Sequence, residues 1–276
     1  MNPLSVCAET VFRSLPFEQR VREIAKEGFL IEFWHRPEAE IDMLEADSTI
    51  QVSTFVGSEI GSMLHPDGVE TFIKGVERNL KIAKRLRCRR MILVTGEMGP
   101  QGEVVHPIHD HPATRWISAY KTLCRVAELA EKHDVVYFLE HLNTKVDHAG
   151  YALARVEDAV RLIDEVGSPR VRLLLDIYHA QVEQGNIIQT IRDYSNLIGY
   201  VHVADVPGRH EPGTGEIDYA RVVTALQEIR YAGPIGMEAF PIDDGQALRR
   251  FRQLFGVKLE DKAGDGEKTK GQAEAV

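Results

Sequence analysis

Short, apolar, β-rich runs alternate with stretches of helical period along most of the 276-residue chain. Eight such runs are predicted as strands: residues 4–12, 29–34, 50–56, 90–95, 135–141, 171–177, 198–204 and 235–240. The run from Val171 to Leu175 is almost continuously apolar, which is typical of a parallel strand covered by helices. Eight strand–helix units in about 250 residues are the usual size of a closed (β/α)8 barrel. The pattern therefore predicts an α/β fold, a single-domain (β/α)8 TIM barrel.

The stretches between and after the strands have the period of amphipathic helices. Helices are predicted at residues 16–27, 69–86, 114–132, 156–165, 187–193, 219–230 and 244–255, with a weaker, acidic helical patch within 36–48. An open, doubly wound sheet is the alternative, and it would usually carry a GxGxxG turn after an early strand. Since the sequence has no such turn, the closed barrel is favoured.

The last part of the chain differs in composition from the rest. Residues 257–276 are rich in Lys, Glu, Asp, Gly and Ala and have almost no apolar side chains, so burial cannot offset the entropy lost on ordering. We predict a barrel domain at residues 1–256 and a disordered C-terminal tail at 257–276.

Charge, cysteine content and hydropathy limit the partners and the compartment. A net charge of -9 and a pI near 5.7 argue against a protein that binds the phosphate backbone of nucleic acid. Cys7, Cys88 and Cys124 form no CxxC pattern, which favours a reducing compartment. The first residues lack a basic region followed by an apolar run, and no apolar run of about 18 residues occurs, so neither a signal peptide nor a membrane span is expected. We therefore expect a cytoplasmic protein with neither a nucleic-acid nor a membrane partner.

A long loop is predicted at residues 96–112, after the fourth strand. It contains His106, His109 and His111, which suggest a metal cluster at first sight. Loops of this length in compact domains are usually functional or mobile. Because the loop is rich in proline and glycine, an ordinary surface loop is the favoured interpretation.

Four polar residues each close an apolar strand: Glu140, Asp176, His202 and Glu238. An acid at a strand end is often a helix N-cap or an ion-pair partner. In a parallel barrel, however, the carboxyl ends of all strands meet at one mouth, so these four side chains are expected to converge there. Three buried carboxylates repel one another unless a cation neutralises them. The set therefore predicts a divalent-metal site.

The donor types indicate which cation and which chemistry. Oxygen-rich coordination with one imidazole favours Mn²⁺ or Mg²⁺, while Co²⁺ and Zn²⁺ remain alternatives. A divalent ion polarises a carbonyl and an adjacent hydroxyl, and so stabilises the enediolate formed when a carbon-bound proton is removed. Glu140 and Glu238 are then the expected acid–base pair. This is the chemistry of isomerases and epimerases that act on small hydroxy-carbonyl compounds.

Three segments resemble those of xylose-isomerase-like barrels: Phe-Leu-Glu140-His-Leu-Asn, Leu-Leu-Asp176-Ile-Tyr-His179, and the block from His202 through Arg209 to Ile217. Within that superfamily the last block is most similar to hydroxypyruvate isomerases and their relatives, and the resemblance covers residues 1 to about 255. It implies that Glu140, Asp176, His202 and Glu238 bind the metal, with Glu140 and Glu238 also moving the proton.

The resemblance also implies that His179 and Arg209 bind the substrate. It implies an aldose–ketose type isomerase, an intramolecular oxidoreductase, with the conversion of hydroxypyruvate to tartronate semialdehyde as the leading reaction. Many hydroxypyruvate isomerases carry glutamine where His202 stands, whereas ketose 3-epimerases carry histidine. A ketose 3-epimerase, or another sugar or inosose isomerase, therefore remains the alternative. A homodimer or homotetramer is expected from the resemblance.

Two further classes share this barrel. Abasic-site endonucleases use the same four ligands but need additional histidines for a trinuclear zinc cluster, and the corresponding places here include Gly57 and Gly208. A non-catalytic barrel would be expected to have lost a ligand, and all four are present. Both classes are disfavoured. Glu32, which ends the second strand run, is expected to have a structural role.

Overall fold

The computed structural model describes residues 2–100, 102–107 and 109–256. Its parallel strands pair in chain order, and β1 pairs with β8 to close the barrel. The strands are β1 (Leu4–Cys7), β2 (Leu30–Phe33), β3 (Val52–Val56), β4 (Arg90–Leu93), β5 (Val136–Glu140), β6 (Val171–Asp176), β7 (Ile198–Val203) and β8 (Ile235–Met237). The predicted (β/α)8 TIM barrel is confirmed.

Helices surround the strands. They are α1 (Phe17–Lys26), α2 (Glu38–Ala46), α3 (Val69–Arg85), α4 (Pro112–His133), α5 (Val156–Val166), α6 (Ile177–Glu183), α7 (Ile187–Asp193), α8 (Tyr219–Glu228) and α9 (Asp244–Phe255), with a 3-10 turn at Pro66–Gly68. The weak acidic patch is thus a true helix, α2. Helix α6 was not predicted from the sequence, because it begins directly at the end of β6 without an intervening turn.

Helix α3 illustrates how the local sequence produces these elements. Phe72, Val76 and Leu80 recur at four-residue spacing and are buried, so the helix buries one apolar stripe. Burying each such side chain contributes roughly 1.5–3 kcal/mol. Glu70 lies in the first turn and Arg85 in the last, where they complement the helix dipole.

The barrel interior is layered. Residues two apart on a strand point to the same side. Ile92, Phe138, Leu174 and Tyr200 form a buried cluster of their own, contributed by β4 to β7. On β5, β6 and β7 the residue two positions later is Glu140, Asp176 and His202, respectively. The polar ends of these strands therefore rest on an apolar layer.

Two of the predicted strands end earlier in the structure than the sequence pattern indicates. The first and last predicted strands are too long: β1 ends at Cys7 because Thr10 N turns back to the Cys7 carbonyl, and β8 ends at Met237 because Phe240 N donates to the Arg209 carbonyl. The predicted tail, 257–276, lies outside the described residues. Within the described part of the chain, no helix has the length and apolar character needed to cross a membrane.

Candidate metal centre and active site

The structure brings together the four strand-end residues Glu140, Asp176, His202 and Glu238. All are buried, with 1–7% of their surface exposed. His202 lies at the centre: its Nδ1 is 3.4 Å from Glu140 Oε1, 3.5 Å from Glu238 Oε2 and 3.9 Å from Asp176 Oδ2. One imidazole nitrogen thus faces three carboxylates.

Asp176 uses its two oxygens for different purposes. Oδ1 accepts a hydrogen bond of 2.7 Å from the backbone N–H of His179 and so caps helix α6. Oδ2 faces His202 Nδ1. The capping and metal-binding interpretations of this residue are therefore compatible, because each involves one oxygen.

The hydrogen bonds of His179 fix which of its nitrogens carries the proton. The side-chain oxygen of Asn143 accepts from Val146 N and Asp147 N, so the amide nitrogen must be the atom 2.7 Å from His179 Nδ1. That nitrogen donates, Nδ1 accepts, and the proton of neutral His179 is on Nε2. Burial, reinforced by Arg209, holds the pKa of His179 well below its usual value, so the ring stays neutral.

The protonation of Nε2 decides whether His179 can be a metal ligand. Glu140, Asp176, His179 and Glu238 offer ligand atoms that all lie within 4.8 Å of one another, and His179 Nε2 is 3.9 Å from Asp176 Oδ2. A metal ligand needs a free lone pair, which a protonated Nε2 lacks. His179 therefore presents an N–H donor to the cluster rather than a ligand, whereas His202 presents Nδ1.

Burial raises the pKa of Glu140 to about 7, against the opposing effect of His202, and raises the pKa of Asp176 to about 6, against Arg209. Burial also opposes ionisation of Glu238, but Arg209 and His202 outweigh it and hold its pKa well below the usual range. For His202, the neighbouring carboxylates outweigh burial and raise its pKa. The raised pKa values favour the protonated forms of Glu140, Asp176 and His202, whereas Arg209 helps to keep Glu238 ionised.

The residues present fit a divalent cation. Glu140 Oε1 and His202 Nδ1 are buried and have no hydrogen-bond partner among the described residues, although they face each other across 3.4 Å. Unsatisfied buried groups of this kind are costly unless they have a function. Carboxylate oxygens with one imidazole form a donor set typical of Mg²⁺, Mn²⁺ or Co²⁺. These groups could hold a metal ion.

Arg209 reaches the cluster from the loop after β7. Its Nη2 lies 2.6 Å from Glu238 Oε2, and its guanidinium carbon lies 5.2 Å from the centre of the Tyr178 ring. Its backbone φ of 54° is in the left-handed region, which is strained for a residue with a side chain. Strain of this kind persists where the surrounding structure imposes it.

Asp205 imposes that loop conformation. Its carboxylate accepts backbone hydrogen bonds from Val206 (2.9 Å), Gly213 (2.8 Å) and Ile217 (3.1 Å). A Cβ at Gly215 would lie 2.0 Å from the Val206 carbonyl oxygen, so only glycine fits there. The loop that carries Arg209 is thus tied to a buried carboxylate.

A cavity of about 350 Å³ opens onto the cluster. Glu140, His179, Arg209 and Glu238 line it, together with residues that the sequence did not indicate. These further residues include Trp34, which donates to Glu238 Oε1 at 2.6 Å, and His148, Phe240, Met98 and Gly102. No local motif marks them, because they come from the loops after β2, β4, β5 and β8.

His148 lines the cavity with one ring nitrogen hydrogen-bonded and the other without a partner among the described residues. Its Nδ1 lies 2.6 Å from the Gly102 carbonyl oxygen and must therefore carry the proton. Its Nε2 is buried and has no partner among the described residues. The rings of His148 and His179 are 5.1 Å apart, so the acceptor Nε2 of His148 lies beside the donor Nε2–H of His179 at the cavity.

The histidines of the loop after β4 do not join the cluster. His106, His109 and His111 are exposed, and within the described residues the one group with metal-binding geometry is that at the barrel mouth. The same loop does reach the site, since Met98, Gly99, Pro100 and Gly102 line the cavity. The half that carries the histidines lies at the surface, where His106 and His109 line a separate cavity.

The fold and the site together are those of a (β/α)8 barrel with a buried cluster of potential metal ligands at the carboxyl ends of its strands. The chain belongs to the xylose isomerase-like TIM barrel family, whose family model matches residues 27–254. The resemblance seen in the sequence is confirmed.

Two curated proteins and one solved structure illustrate what the chain is similar to. The chain is 31% identical over 187 residues to a putative hydroxypyruvate isomerase of Homo sapiens, an alignment that covers 67% of this chain and 66% of the human protein. It is 28% identical over 242 residues to a 2-oxo-tetronate isomerase of Pectobacterium atrosepticum, covering 84% and 89%. The crystal structure of AP endonuclease, family 2, from Brucella melitensis has a TM-score of 0.82 at 24% identity, covers 92% and 99%, and shows the fold.

Proposed function

We propose that this protein is a divalent-metal-dependent isomerase that interconverts a small hydroxy-aldehyde and hydroxy-ketone pair through an enediolate. Hydroxypyruvate to tartronate semialdehyde is the leading reaction. The observation that carries the proposal is that two glutamates, Glu140 and Glu238, face one cavity beside the orphaned Nδ1 of His202. The isomerase names of the human and P. atrosepticum relatives support it.

Glu140, Asp176, His202 and Glu238 would hold the cation, which supplies polarisation of the substrate carbonyl and the neighbouring hydroxyl. One glutamate, as a carboxylate, removes a proton from the carbon that bears the hydroxyl, and the other, which starts as the carboxylic acid, gives its proton to the former carbonyl carbon. The hydroxyl proton passes from one oxygen to the other. The two glutamates thereby exchange protonation states, and proton exchange with solvent restores them, so atoms and charge balance. Mn²⁺ or Mg²⁺ is the cation we propose.

The remaining residues would bind and orient the substrate. His179 Nε2–H is a donor for a substrate oxygen next to the cluster, and Arg209 offers a planar pair of donors suited to a carboxylate. Tyr178 and Phe240 flank the guanidinium, with the Phe240 ring centre 5.9 Å from its central carbon.

A second candidate, a ketose 3-epimerase, is favoured by two observations. The imidazole of His202 stands where the resemblance places histidine in epimerases, and a cavity of about 350 Å³ has room for more than a three-carbon acid. Epimerisation would use the same two glutamates, one on each face of a single carbon.

Proton exchange in D₂O distinguishes these candidates. Metal-free protein would be reloaded with Mn²⁺, Mg²⁺, Co²⁺ or Zn²⁺ and incubated with hydroxypyruvate, 2-oxo-tetronate, D-fructose, D-psicose and an inosose, with products followed by NMR. An isomerase gives a product with a new aldehyde or ketone and with deuterium at the former carbonyl carbon. An epimerase gives deuterium at C3 with inversion and no aldose. Exchange with none of them, together with cleavage of abasic DNA, would overturn the class.

A further inference from the structure

Glu32 is a buried carboxylate inside the barrel that does not belong to the four strand-end residues. It lies on β2 with 2% of its surface exposed. Its Oε2 is 2.9 Å from Nε2 of His202, the nitrogen on the far side of the ring from the cluster. Glu32 and the three strand-end carboxylates thus contact opposite edges of one imidazole.

The other oxygen of Glu32 is held by two hydroxyls. Ser5 Oγ and Tyr200 OH both donate to Oε1, and the two hydroxyl oxygens are 2.7 Å from each other. Ser53 Oγ lies a further 2.8 Å from Tyr200 OH. Both oxygens of the carboxylate are therefore satisfied as acceptors, as a buried charged group requires.

The barrel leaves a space for this carboxylate. A Cβ at Gly236 would lie 2.1 Å from Glu32 Oε1, so any larger residue at this position of β8 would displace the glutamate. Gly236 is also the register partner of both Ser5 and His202. Three strands thus frame the contact between Glu32 and His202.

We propose that Glu32 is a positioning residue that sets the metal affinity of the site through His202. As an acceptor, its carboxylate keeps a proton on Nε2, so that Nδ1, which faces the cluster, is the nitrogen that binds a cation. Its negative charge makes the imidazole a stronger donor to a cation. Carboxylate partners of ligating histidines typically contribute a factor of 10–100 in metal affinity.

The substitution Glu32→Gln tests this role with almost no change of shape. Ser5 and Tyr200 donate to the Oε1 position, so the amide oxygen of glutamine belongs there and its NH₂ group faces His202. Nε2 would then have to accept, which moves the proton to Nδ1 and removes the ligand. We expect Mn²⁺ affinity to fall about 10–100-fold, as measured by calorimetry at pH 8.

Tyr200→Phe is the matched control. It removes one hydroxyl partner of Glu32 but leaves the carboxylate and its contact with His202, so it should keep Mn²⁺ affinity close to that of the parent. A merely structural role for Glu32 would lower the melting temperature in both variants without a selective loss of affinity. Folded E32Q protein with parental Mn²⁺ affinity would overturn the proposal.

A spectroscopic measurement on the unaltered protein covers the case in which E32Q does not fold. In Zn²⁺-loaded protein with ¹⁵N-labelled histidine, His202 should show a protonated Nε2 and a metal-shifted Nδ1. A proton on Nδ1 would refute the inference. Neither readout involves a substrate, so the inference can fail while the proposed isomerase activity stands, and the reverse.

Discussion

His179 and His202 present opposite nitrogens to the same cluster: His179 directs Nε2 at Asp176 Oδ2, 3.9 Å away, and His202 directs Nδ1 at that same oxygen, also 3.9 Å away. The ring of His179 is protonated on the nitrogen it presents, because Asn143 donates to the other one. The ring of His202 keeps Nδ1 as the nitrogen that can bind a cation, because Glu32 accepts from Nε2.

Replacing each of these histidines by phenylalanine should therefore give opposite results. His202→Phe removes a ligand and should weaken Mn²⁺ binding severely. His179→Phe removes a donor to substrate and the acceptor of Asn143, neither of which is a metal ligand, so it should leave Mn²⁺ affinity nearly unchanged and lower kcat/KM by about 10²–10³, the usual cost of losing one such donor. Calorimetry with Mn²⁺ and steady-state kinetics separate the two outcomes. Equal losses of metal binding would show that His179 is a ligand after all.

Glu140→Gln and Glu238→Gln should each abolish turnover while the fold stays intact, since loss of a general acid or base typically costs about 10²–10⁴ in rate. Circular dichroism would check the fold and solvent exchange would check turnover. Glu216→Gln, at an exposed position of the loop after β7, is the control and should behave as the parent. Near-normal activity in either site variant would refute the proton-transfer assignment.

Metal affinity should fall as the pH is lowered from 8 to 6. A cation binds the deprotonated ligands, and the pKa values of Glu140 and Asp176 are raised to about 7 and about 6. Below those values protons compete for the same oxygens, so affinity is highest above pH 7 and is lost progressively below it. Calorimetry of Mn²⁺ binding in two buffers with different ionisation enthalpies would count the protons released. Affinity that does not change with pH would contradict the assignment of these carboxylates as ligands.

Asp205→Asn should loosen the loop that carries Arg209. The substitution weakens three backbone hydrogen bonds to a charged acceptor, each contributing about 1.5–3 kcal/mol. We expect a lower melting temperature and a higher KM, with Mn²⁺ affinity preserved. Asp218→Asn is the control, since that carboxylate caps helix α8 at an exposed position. A parental KM in D205N would show that Arg209 does not depend on this loop for its placement.

The period of the apolar runs was enough to predict the barrel, because each strand buries both faces and each helix buries one. The ends of the elements were less certain. Predicted strand 171–177 ran one residue past Asp176, where β6 passes straight into α6. Helix Ile187–Asp193 and helix Asp244–Phe255 match the predicted bounds. Burial governs the middle of an element, whereas single hydrogen bonds decide where it stops.

The four strand-end residues could be found from the sequence because the fold itself collects strand ends at one mouth. Their partners could not. Glu32 meets His202 across 170 positions of the chain, and Trp34 meets Glu238 across 204. No spacing rule connects such pairs. The protonated nitrogens of His148 and His179 were equally inaccessible, because they depend on contacts with Gly102 and Asn143 from other parts of the fold.

The stacking of Glu140, Asp176 and His202 two residues above Phe138, Leu174 and Tyr200 has a consequence for how this barrel tolerates change. We expect a substitution that changes the size of a ring or aliphatic side chain in the lower layer to move the strands that carry the upper one, and so to shift the donor atoms of the cluster first. Substitutions in this layer should therefore change the affinity of the site for its cation before they lower the melting temperature of the protein.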